Sequence, residues 1–491
     1  MDIDLDPYPK QYSFRPICLQ DKELFQKALK NLKEPISDNS FANIYLWRDA
    51  SHLAFSEIHN HLCIFANGNN LTLFAPPIPL ENASNEDITK CLKICFEIMD
   101  NYQILNCLDT SYGKIDYVSE EVLKRINNPE LSTIDFSGDY IYDTQKMITL
   151  SGKAFKRKRW AKQKFMRTYP NHRVETLNNN HTSDCLSLLD LWQKHADEKK
   201  QNQITENQEY SCQTKDLRDL DIKACKQALI DYEELGLKGM VLYVDNILVG
   251  FTLGEKLGSQ ASILFEKTHP DYDGSAQFIF SEFCKTWKDC KEINVGDDWF
   301  IPTLRETKES YRPIRRLKKY IVTKKQPEIK IRRASIIDIE RLFEIENQCF
   351  EPHIAETREE LEAILSNPGI TTIVAYDKDK IIGMASCFLK NKENGNIYNL
   401  VVPKEYRGKG IAKKLTDFII KRFSLLKIQK LYLEVHESNL PAINLYKSFG
   451  FETLEILPDY YKPGNGLSMC LELSKTNKNK DESIVLTPVV R

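Results

Sequence analysis

A short glycine-rich loop, Arg407-Gly408-Lys409-Gly410-Ile411-Ala412, separates a predicted strand from a predicted helix in the last third of the chain. Glycines let the backbone adopt positive φ and approach a ligand closely. The first N–H groups of the next helix have no partner inside the helix, and the helix dipole places about half a positive charge there. With the charges of Arg407 and Lys409, the loop predicts a pyrophosphate site, although such turns often only connect a strand to a helix.

The elements around this loop predict an α/β domain with a mixed sheet. After a polar linker at about 324–329, the pattern restarts with a strand at 329–334, a helix at 335–349 and a helix at 357–365. Strands follow at 371–376, 380–389 and 395–402, then a helix at 410–426, a strand at 431–435, a helix at 440–449 and a strand at 466–473. Ser335 and Asp338 have the spacing of a capping box. The loop therefore follows the third consecutive strand of a newly started domain.

Two segments of this domain resemble a known family. Residues 399–415 are similar to the acetyl-coenzyme A motif of the GNAT N-acetyltransferases, with Arg407, Gly410 and Ala412 at the signature positions, and residues 433–451 resemble a second block of that family. The resemblance covers about residues 328–475 and is greatest to the ribosomal-protein alanine N-acetyltransferases. It implies a GNAT fold, acetyl-coenzyme A as donor, and direct attack on the thioester by an amine. The expected acceptor is a protein N-terminal or lysine amine, or a small amine.

The resemblance also implies roles for individual residues. Glu434 would be the base that deprotonates the amine, and Tyr446 the acid that protonates the leaving thiolate. The residues expected to bind the cofactor are Leu400, Val401 and Val402 along the pantetheine, Arg407, Gly408, Lys409, Gly410, Ile411 and Ala412 at the pyrophosphate, and Asn439. From the residues alone, a surface role for Glu434 and a core role for Tyr446 stay open.

The acceptor end of this domain departs from the family pattern. The loop after the first helix contains Phe350-Glu-Pro-His, without the tryptophan that the family usually has there. Tyr460 and Tyr461 resemble the tyrosine pair beside which the acceptor peptide lies, so both are possible substrate contacts. A protein N-terminal amine, with a pKa of about 7.7–8.0, is chemically easier to acetylate than a lysine at about 10.4.

The first 325 residues carry different motifs. Segments 37–47, 135–143, 150–165, 265–267 and 293–313 together resemble the C-terminal domain of phosphatidylglycerol lysyltransferases. That resemblance implies two GNAT-like halves, at about 1–145 and 146–325, and hence three GNAT-like units in tandem. It leaves two alternatives for this region, aminoacyl transfer from a charged tRNA and recruitment of an RNA or protein target. Residues 476–491 are expected to form a disordered polar tail.

A basic stretch between residues 153 and 167 contains eight lysines and arginines. A phosphate-rich ligand, either tRNA or an anionic lipid head group, would suit it, and a solvated helix face is an equally good interpretation. Lys156, Arg157 and Arg159 are therefore possible substrate contacts. Arg305 follows two aspartates, where it either lines the same cleft or forms an internal ion pair.

Composition sets the outer limits on function. The 491 residues include 42% hydrophobic and 28% charged side chains, and the formal net charge of −2 gives no global field towards nucleic acid or membrane. No apolar run approaches the roughly 20 residues of a membrane helix, and the acidic N-terminus lacks the apolar core of a secretory signal. The 13 cysteines form no CxxC pair, so we expect reduced thiols, no metal site and a cytoplasmic protein. The sequence carries no signal for an oligomeric state.

Overall fold

The computed structural model describes residues 11–473, apart from residues 31, 33, 34, 127, 202–207, 326, 352 and 462. The predicted tail at 476–491 lies outside the described residues. Within them the strands form two sheets, one of 13 strands over residues 15–324 and one of seven strands over residues 330–472. Alternate strand residues enter different hydrophobic clusters, so both sheets are covered on both faces. The predicted α/β class with mixed sheets is confirmed.

The first sheet runs through the N-terminal two thirds of the chain. Its strands are β1 (Arg15–Pro16), β2 (Leu53–Ile58), β3 (His61–Asn67), β4 (Leu71–Leu73), β5 (Ile78–Pro79), β6 (Lys114–Ser119), β7 (Leu131–Asp143), β8 (His172–Thr176), β9 (Lys238–Val244), β10 (Ile247–Leu257), β11 (Gln260–Thr268), β12 (Glu292–Asn294) and β13 (Arg315–Lys324). Its helices are α1 (Lys22–Leu29), α2 (Phe41–Trp47), α3 (Asn85–Leu105), α4 (Glu120–Arg125), α5 (Thr144–Thr149), α6 (Lys156–Thr168), α7 (Thr182–Gln201), α8 (Gln208–Ile230), α9 (Tyr232–Leu235), α10 (Ser275–Cys284) and α11 (Pro302–Ser310).

The strand order of this sheet joins the two predicted halves. Neighbouring strands follow the order β1-β2-β3-β4-β6-β13-β7-β12-β11-β10-β9-β8, with β5 paired to β3. β13, from the end of the second predicted half, lies between β6 and β7 of the first and is antiparallel to both. The two halves therefore share one hydrogen-bonded sheet. Their division into two GNAT-like units, and the tandem of three, stay predictions.

The second sheet carries the glycine-rich loop. Its strands are β14 (Lys330–Arg333), β15 (Ile370–Asp377), β16 (Lys380–Leu389), β17 (Asn394–Val401), β18 (Lys430–His436), β19 (Glu452–Leu457) and β20 (Gly466–Glu472), in the order β14-β15-β16-β17-β18-β20-β19. The β17–β18 pair is parallel and the other pairs are antiparallel. Helices α12 (Ile339–Cys349) and α13 (Arg358–Ser366) pack on one face, and α14 (Ile411–Leu425) and α15 (Leu440–Ser448) pack on the other.

The predicted elements of this region form, with two differences. The capping box from Ser335 to Asp338 is present, but it opens a short 3-10 turn, and α12 begins only at Ile339. The sequence also does not predict β19. This edge strand has almost all of its side chains exposed, so it lacks the burial contrast that marks a half-buried strand.

The two sheets are joined by α3 and the turn after it. Ile104 and Cys107 belong to the hydrophobic cluster that packs under α14. The Arg333 N–H at the end of β14 donates to the carbonyl of Cys107 at 2.7 Å, and Arg422 Nε on α14 donates to the carbonyl of Leu105 at 3.3 Å. The predicted linker at 324–329 therefore connects two regions that also pack against each other.

Within the described ranges, none of the helices is both long and apolar enough to cross a membrane. The long helices α3 and α8 span 21 and 23 residues, but charged side chains recur along both.

A buried lysine forms ion pairs with carboxylates from several segments of the first region. Lys319 on β13 is 1% exposed, and its Nζ lies 2.6 Å from Asp139 Oδ1 and 3.3 Å from Asp297 Oδ2, in contact also with Asp38. Asp139 on β7 accepts further hydrogen bonds from the N–H and the hydroxyl of Ser37. Burial raises the pKa of Asp38 to about 6, against the opposing charge of Lys319. Removal of the lysine would leave these carboxylates without their cation.

Replacing Lys319 with methionine should therefore destabilise the protein. Loss of one partner from a buried ion pair costs about 3–5 kcal/mol, so we expect a lower midpoint in urea unfolding followed by circular dichroism. Lys318→Met is the matched control, because Lys318 is the exposed neighbour on β13 and its replacement should change stability by at most about 0.5 kcal/mol. Equal midpoints for the two variants would contradict the structural role of Lys319.

Candidate functional site

Two neighbouring strands part in the middle of the second sheet. β17 and β18 pair in parallel from Asn394 and Lys430 only as far as Ile397 and Leu433. Beyond that point β17 pairs with β16 and β18 pairs with β20, so a gap opens between them. Backbone N–H and C=O groups rarely stay without partners, so the inner edges of this gap suit a ligand that hydrogen-bonds along a strand.

A β-bulge accompanies the parting. The register between β16 and β17 shifts after Ser386, so that Tyr398 has no counterpart on β16. Asn399 holds the bulge, since its Oδ1 accepts a hydrogen bond from the Ser386 N–H at 2.9 Å. An extra residue bends the bulged strand and increases its local twist. β17 therefore bends immediately before the residues that the sequence predicts along the pantetheine.

Those three residues use their side chains for packing. Val401 is buried in the cluster under α12, and Val402 is buried in the cluster under α14. Leu400 packs, partly buried, against the second cluster. With Val401 and Val402 buried, the backbone of this stretch is the part best placed to contact a ligand, which is the role that the resemblance implies for it.

The glycine-rich loop follows β17 and starts α14. Arg407 Nε donates to the carbonyl of Val402 at 3.0 Å, which fastens the loop to the end of the strand. Gly408 and Gly410 have φ values of 79° and 75°, and a Cβ at either position would meet no atom within 4 Å. Both residues therefore adopt a conformation that favours glycine, and both border open space.

The start of α14 supplies backbone donors beside this space. Gly410 is the N-cap, and the Lys414 N–H donates to its carbonyl at 3.0 Å. The amides of Ile411 and Ala412 come before this bond, so they have no carbonyl partner within the helix. Ile411 is buried and Ala412 partly buried in the core, so both offer backbone rather than side chain. This arrangement suits an anionic group such as a pyrophosphate.

Positive charge gathers beside the same loop. Lys409 Nζ lies 5.5 Å from the ring centroid of Tyr406, and Lys380 Nζ lies 5.3 Å from that ring. Tyr406 thus attracts two ammonium groups to the neighbourhood of the glycines, which favours an anionic ligand there.

Glu434 is the first residue of β18 beyond the paired stretch. Its side chain is 24% exposed, with Oε2 accepting a hydrogen bond from Asn396 Nδ2 at 3.2 Å and Oε1 lying 3.6 Å from Lys390 Nζ. Leu433 and Val435 belong to the core under α14, so Glu434 points to the opposite face of the sheet. Glu434 is therefore a partly exposed carboxylate with two polar partners, beside the point where β17 and β18 stop pairing.

Tyr446 lies on the other face of the sheet, in the core that contains Leu433 and Val435. It is 7% exposed, and its ring lies 5.6 Å from the ring of Phe451. Burial, and then the neighbouring Tyr461, raises the pKa of Tyr446 to about 12, so this hydroxyl stays protonated at neutral pH. Tyr446 is thus a core residue whose hydroxyl also lies within electrostatic reach of a second tyrosine.

The two predicted substrate tyrosines lie beside Glu434. The rings of Tyr460 and Tyr461 are 5.0 Å apart, and the ring of Tyr461 is 5.3 Å from that of His436. Burial raises the pKa of Tyr461 to about 12, with further contributions from Tyr460 and Glu434. The structure therefore brings Glu434, Tyr446, Tyr460 and Tyr461 into one neighbourhood.

Two polar residues at the end of β18 make local hydrogen bonds. His436 Nδ1 accepts from the Ser438 N–H at 3.1 Å, so its Nε2 must donate to the carbonyl of Pro463 at 2.9 Å. Asn439 is the N-cap of α15, and its Oδ1 accepts from the Ala442 N–H at 3.3 Å. The contact of Asn439 with the cofactor stays a prediction.

A buried glutamate that sequence reasoning missed lies behind β17. Glu346 on α12 is 1% exposed, and burial, together with the charge of Glu356, raises its pKa to about 7. Asn399 Nδ2 donates a hydrogen bond to Glu346 Oε1 at 3.4 Å. Glu346 therefore helps to position Asn399, the residue that stabilises the β-bulge. Its burial could have been predicted from the sequence, because Glu346 lies on the apolar face of α12 with Leu342 and Ile345.

In the predicted basic stretch of the first region, some residues make contacts within the protein and others are exposed to solvent. On α6, Arg159 Nη1 donates to the carbonyl of Gly152 at 2.8 Å, so it has a structural contact. Lys156 and Arg157 are exposed, and Trp160 on the same helix is 57% exposed. The outer face of α6 is therefore the part that a phosphate-rich ligand could reach.

Arg305 forms an internal ion pair, one of the two arrangements open from the sequence. Its Nε lies 2.9 Å from Asp298 Oδ2, which also accepts a hydrogen bond from the Tyr140 hydroxyl at 2.6 Å. Burial alone would raise the pKa of Asp298, but the hydrogen bonds from Arg305 and Tyr140 lower it to about 2. A substrate that contacts Arg305 would have to compete with this carboxylate.

Comparison with known proteins assigns both regions. Residues 29–323, more than half of the chain, match the family described as phosphatidylglycerol lysyltransferase, C-terminal, and residues 339–451 match the acetyltransferase (GNAT) family. The chain belongs to the phosphatidylglycerol lysyltransferase C-terminal family and contains a GNAT acetyltransferase domain.

The relatives of the two regions differ. The ribosomal protein bS18-alanine N-acetyltransferase of Haemophilus ducreyi is 34% identical over 131 residues, covering 26% of this chain and 86% of that protein. A probable spermine N(1)-acetyltransferase of Bacillus subtilis subsp. natto is 30% identical over 128 residues, covering 24% of this chain and 81% of that protein. A solved structure of a conserved protein of unknown function from Bacteroides thetaiotaomicron VPI-5482 has a TM-score of 0.54 and 25% identity, covering 64% of this chain and 100% of that one.

These findings confirm the predicted activity class. The GNAT domain makes this chain an acyl-coenzyme A-dependent N-acetyltransferase, with acetyl-coenzyme A as the donor and an amine as the acceptor. The residues fit that donor. Gly408 and Gly410 leave open space at the start of α14, and β17 and β18 no longer pair with each other beyond Ile397 and Leu433, so strand backbone there can hydrogen-bond to an extended ligand.

Replacing Gly410 with alanine should weaken binding of acetyl-coenzyme A. A non-glycine residue in the left-handed region costs about 1–2 kcal/mol, and the new Cβ would enter the space beside the first amides of α14. We expect the Kd, measured by isothermal titration calorimetry, to rise about tenfold. Gly68→Ala is the control, because Gly68 also borders open space but lies outside the left-handed region. An unchanged Kd for Gly410→Ala would contradict the assignment of the loop.

Proposed function

We propose that this acetyltransferase acts on the free N-terminal amine of a protein, with Glu434 as the base and Tyr446 as the acid. What supports the proposal is that Glu434 is the first residue of β18 beyond its pairing with β17, while Tyr446 packs on the opposite face of the sheet in the cluster that contains Leu433 and Val435 of the same strand. An amine can then reach the thioester from the side of Glu434, while the thiolate departs towards Tyr446.

The reaction is a direct transfer through a tetrahedral intermediate. Glu434 accepts a proton from the ammonium, and the freed nitrogen bonds to the carbonyl carbon of the acetyl group. Backbone N–H groups at the inner edge of β17 would stabilise the oxyanion. The carbon–sulfur bond then breaks, and Tyr446 gives its proton to the thiolate sulfur. The nitrogen loses its remaining excess proton to solvent, and both residues return to their starting forms by exchange with solvent.

The surroundings of the two residues suit these roles. Because its pKa is raised to about 12, Tyr446 is protonated at neutral pH and acts as a donor. Lys390 and Asn396 hold the carboxylate oxygens of Glu434 in position beside the gap. Preorganised groups of this kind lose little orientational freedom when substrate binds.

A protein N-terminus is the acceptor that we favour. The relatives from Haemophilus ducreyi and Bacillus subtilis subsp. natto are named for different acceptors, so likeness alone leaves the amine open. An N-terminal amine has a pKa of about 7.7–8.0 against about 10.4 for lysine, so far more of it is neutral near pH 7. Tyr460 and Tyr461 offer aromatic surfaces beside Glu434 for the first residues of a peptide.

For the first region, aminoacyl transfer from a charged tRNA and recruitment of an RNA or protein target stay predictions. What supports a phosphate-rich ligand is the outer face of α6, where Lys156, Arg157 and Trp160 are exposed. Basic side chains neutralise phosphates, and an exposed tryptophan offers a surface on which a base can stack.

Glu434→Gln and Tyr446→Phe should each lower kcat by about 10²–10⁴-fold, the usual contribution of a general base or acid. The Kd for acetyl-coenzyme A should stay close to that of the unmodified protein, because neither change removes a group assigned to the donor. Initial rates from a thiol-release assay, with calorimetry for binding, measure both. Glu452→Gln on the exposed strand β19 is the control and should keep the full rate. Full activity in the Glu434→Gln, Tyr446→Phe double variant would rule out these roles.

Peptides with a free N-terminus should be acetylated at least about tenfold faster than the same peptides with a blocked N-terminus and one free lysine, because of the difference in amine pKa. Mass spectrometry of the products at pH 7 measures this ratio, with spermine as a third acceptor. A preference for the lysine peptide or for spermine would contradict the proposed acceptor, while leaving acetyl transfer itself intact.

A further inference from the structure

Three cysteines converge in the core of the first region. Cys63 lies on β3, and Cys91 and Cys95 lie one helical turn apart on α3, in the same hydrophobic cluster. Their sulfur atoms are 3.3, 3.6 and 3.9 Å apart, and all three side chains are buried. A disulfide needs sulfurs about 2.05 Å apart, so the three thiols are free.

The triangle of sulfurs has the dimensions of a metal site. A cation at the zinc–sulfur distance of about 2.3 Å from all three would lie about 1 Å out of their plane. An ideal tetrahedron with the same bond length places the cation about 0.8 Å above its base, so the three sulfurs match that base closely. Thiolates select soft cations such as zinc and copper(I) over magnesium or calcium.

We propose that Cys63, Cys91 and Cys95 bind one soft cation of the zinc or copper(I) class as thiolates. On binding, the three thiols release their protons to solvent, and each sulfur donates an electron pair to the cation without any change of oxidation state.

Ordinary core packing is the competing explanation, since buried thiols behave as small hydrophobic side chains. Buried cysteines elsewhere in the described residues provide a comparison, because they show how thiols are arranged when they only pack in a core. Cys225 and Cys284 are equally buried, but in the part of the chain that the structure describes, this cluster is the one group of three or more potential ligands close enough to share an ion. Helix spacing explains the pairing of Cys91 with Cys95, whereas Cys63 comes from another element 28 positions away.

The metal content of the full-length protein tests the proposal. Protein purified with a reductant and without chelator is passed through gel filtration and analysed by inductively coupled plasma mass spectrometry, and we expect one zinc or copper per chain. Metal-free protein is then titrated with Co²⁺, which should produce intense sulfur-to-cobalt charge-transfer bands. Anaerobic titration with copper(I) against a competing chelator measures the affinity for copper(I), which is then compared with the affinity for zinc to decide which of the two cations the site prefers.

Variants locate the site. Cys63→Ala and Cys91→Ala should weaken binding of zinc at least about 100-fold, because loss of a residue that merely supports a ligand already costs about 10–100-fold. Cys225→Ala, which removes an equally buried thiol from α8, should bind zinc as the unmodified protein does.

The unmodified protein provides a readout that needs no variant, because bound zinc should raise its thermal midpoint. Three results would each overturn the proposal: no metal and no Co²⁺ bands in the unmodified protein, zinc affinity unchanged in Cys63→Ala, or a Cys63–Cys91 disulfide in the protein as isolated.

Discussion

The separation of β17 from β18 beyond Ile397 and Leu433 is the constraint on which the proposed acetyl-transfer site depends. A continuous parallel pair would satisfy its own backbone groups and leave no space for a thioester. The bulge at Tyr398 bends β17, and hydrogen bonds from Ser386 to Asn399 and from Asn399 to Glu346 fix it. The same interruption leaves Glu434 next to an open strand edge. In the proposed mechanism, backbone geometry thus creates the site, and the side chains of Glu434 and Tyr446 would transfer the protons.

Buried charge serves the two regions in different ways. In the first sheet, Lys319 lies among carboxylates from separate segments, so its charge fixes how those segments meet. In the second, Glu346 accepts a hydrogen bond from the amide of Asn399, and burial together with the charge of Glu356 raises its pKa to about 7. Replacing a paired charge leaves other charges unpaired, whereas an unpaired carboxyl simply takes up a proton. Loss of one charged residue is accordingly expected to cost more in the Lys319 cluster than at Glu346.

Local signals in the sequence predict the elements well, and long-range contacts poorly. Thr357 starts α13 through a capping box, and positive φ occurs at Gly408 and Gly410, because both depend on neighbours in the chain. The place of β13 between β6 and β7 depends on pairing across most of the first region, which no local pattern specifies. The approach of Cys63 on β3 to α3 is likewise a contact between separate elements, which no local pattern specifies.

α3 links the cysteine cluster to the acetyltransferase domain. Cys91 and Cys95 lie in the first half of this helix. The last residue of the helix, Leu105, accepts a hydrogen bond from Arg422 on α14. The start of α14 is nevertheless fixed within its own domain, because Arg407 bonds to the carbonyl of Val402. A cation at the cysteines would therefore hold α3 against its sheet and strengthen the surface on which α14 packs. We expect the geometry of the glycine loop to stay the same, so that a bound cation would raise stability at the interface without altering binding of the acetyl donor.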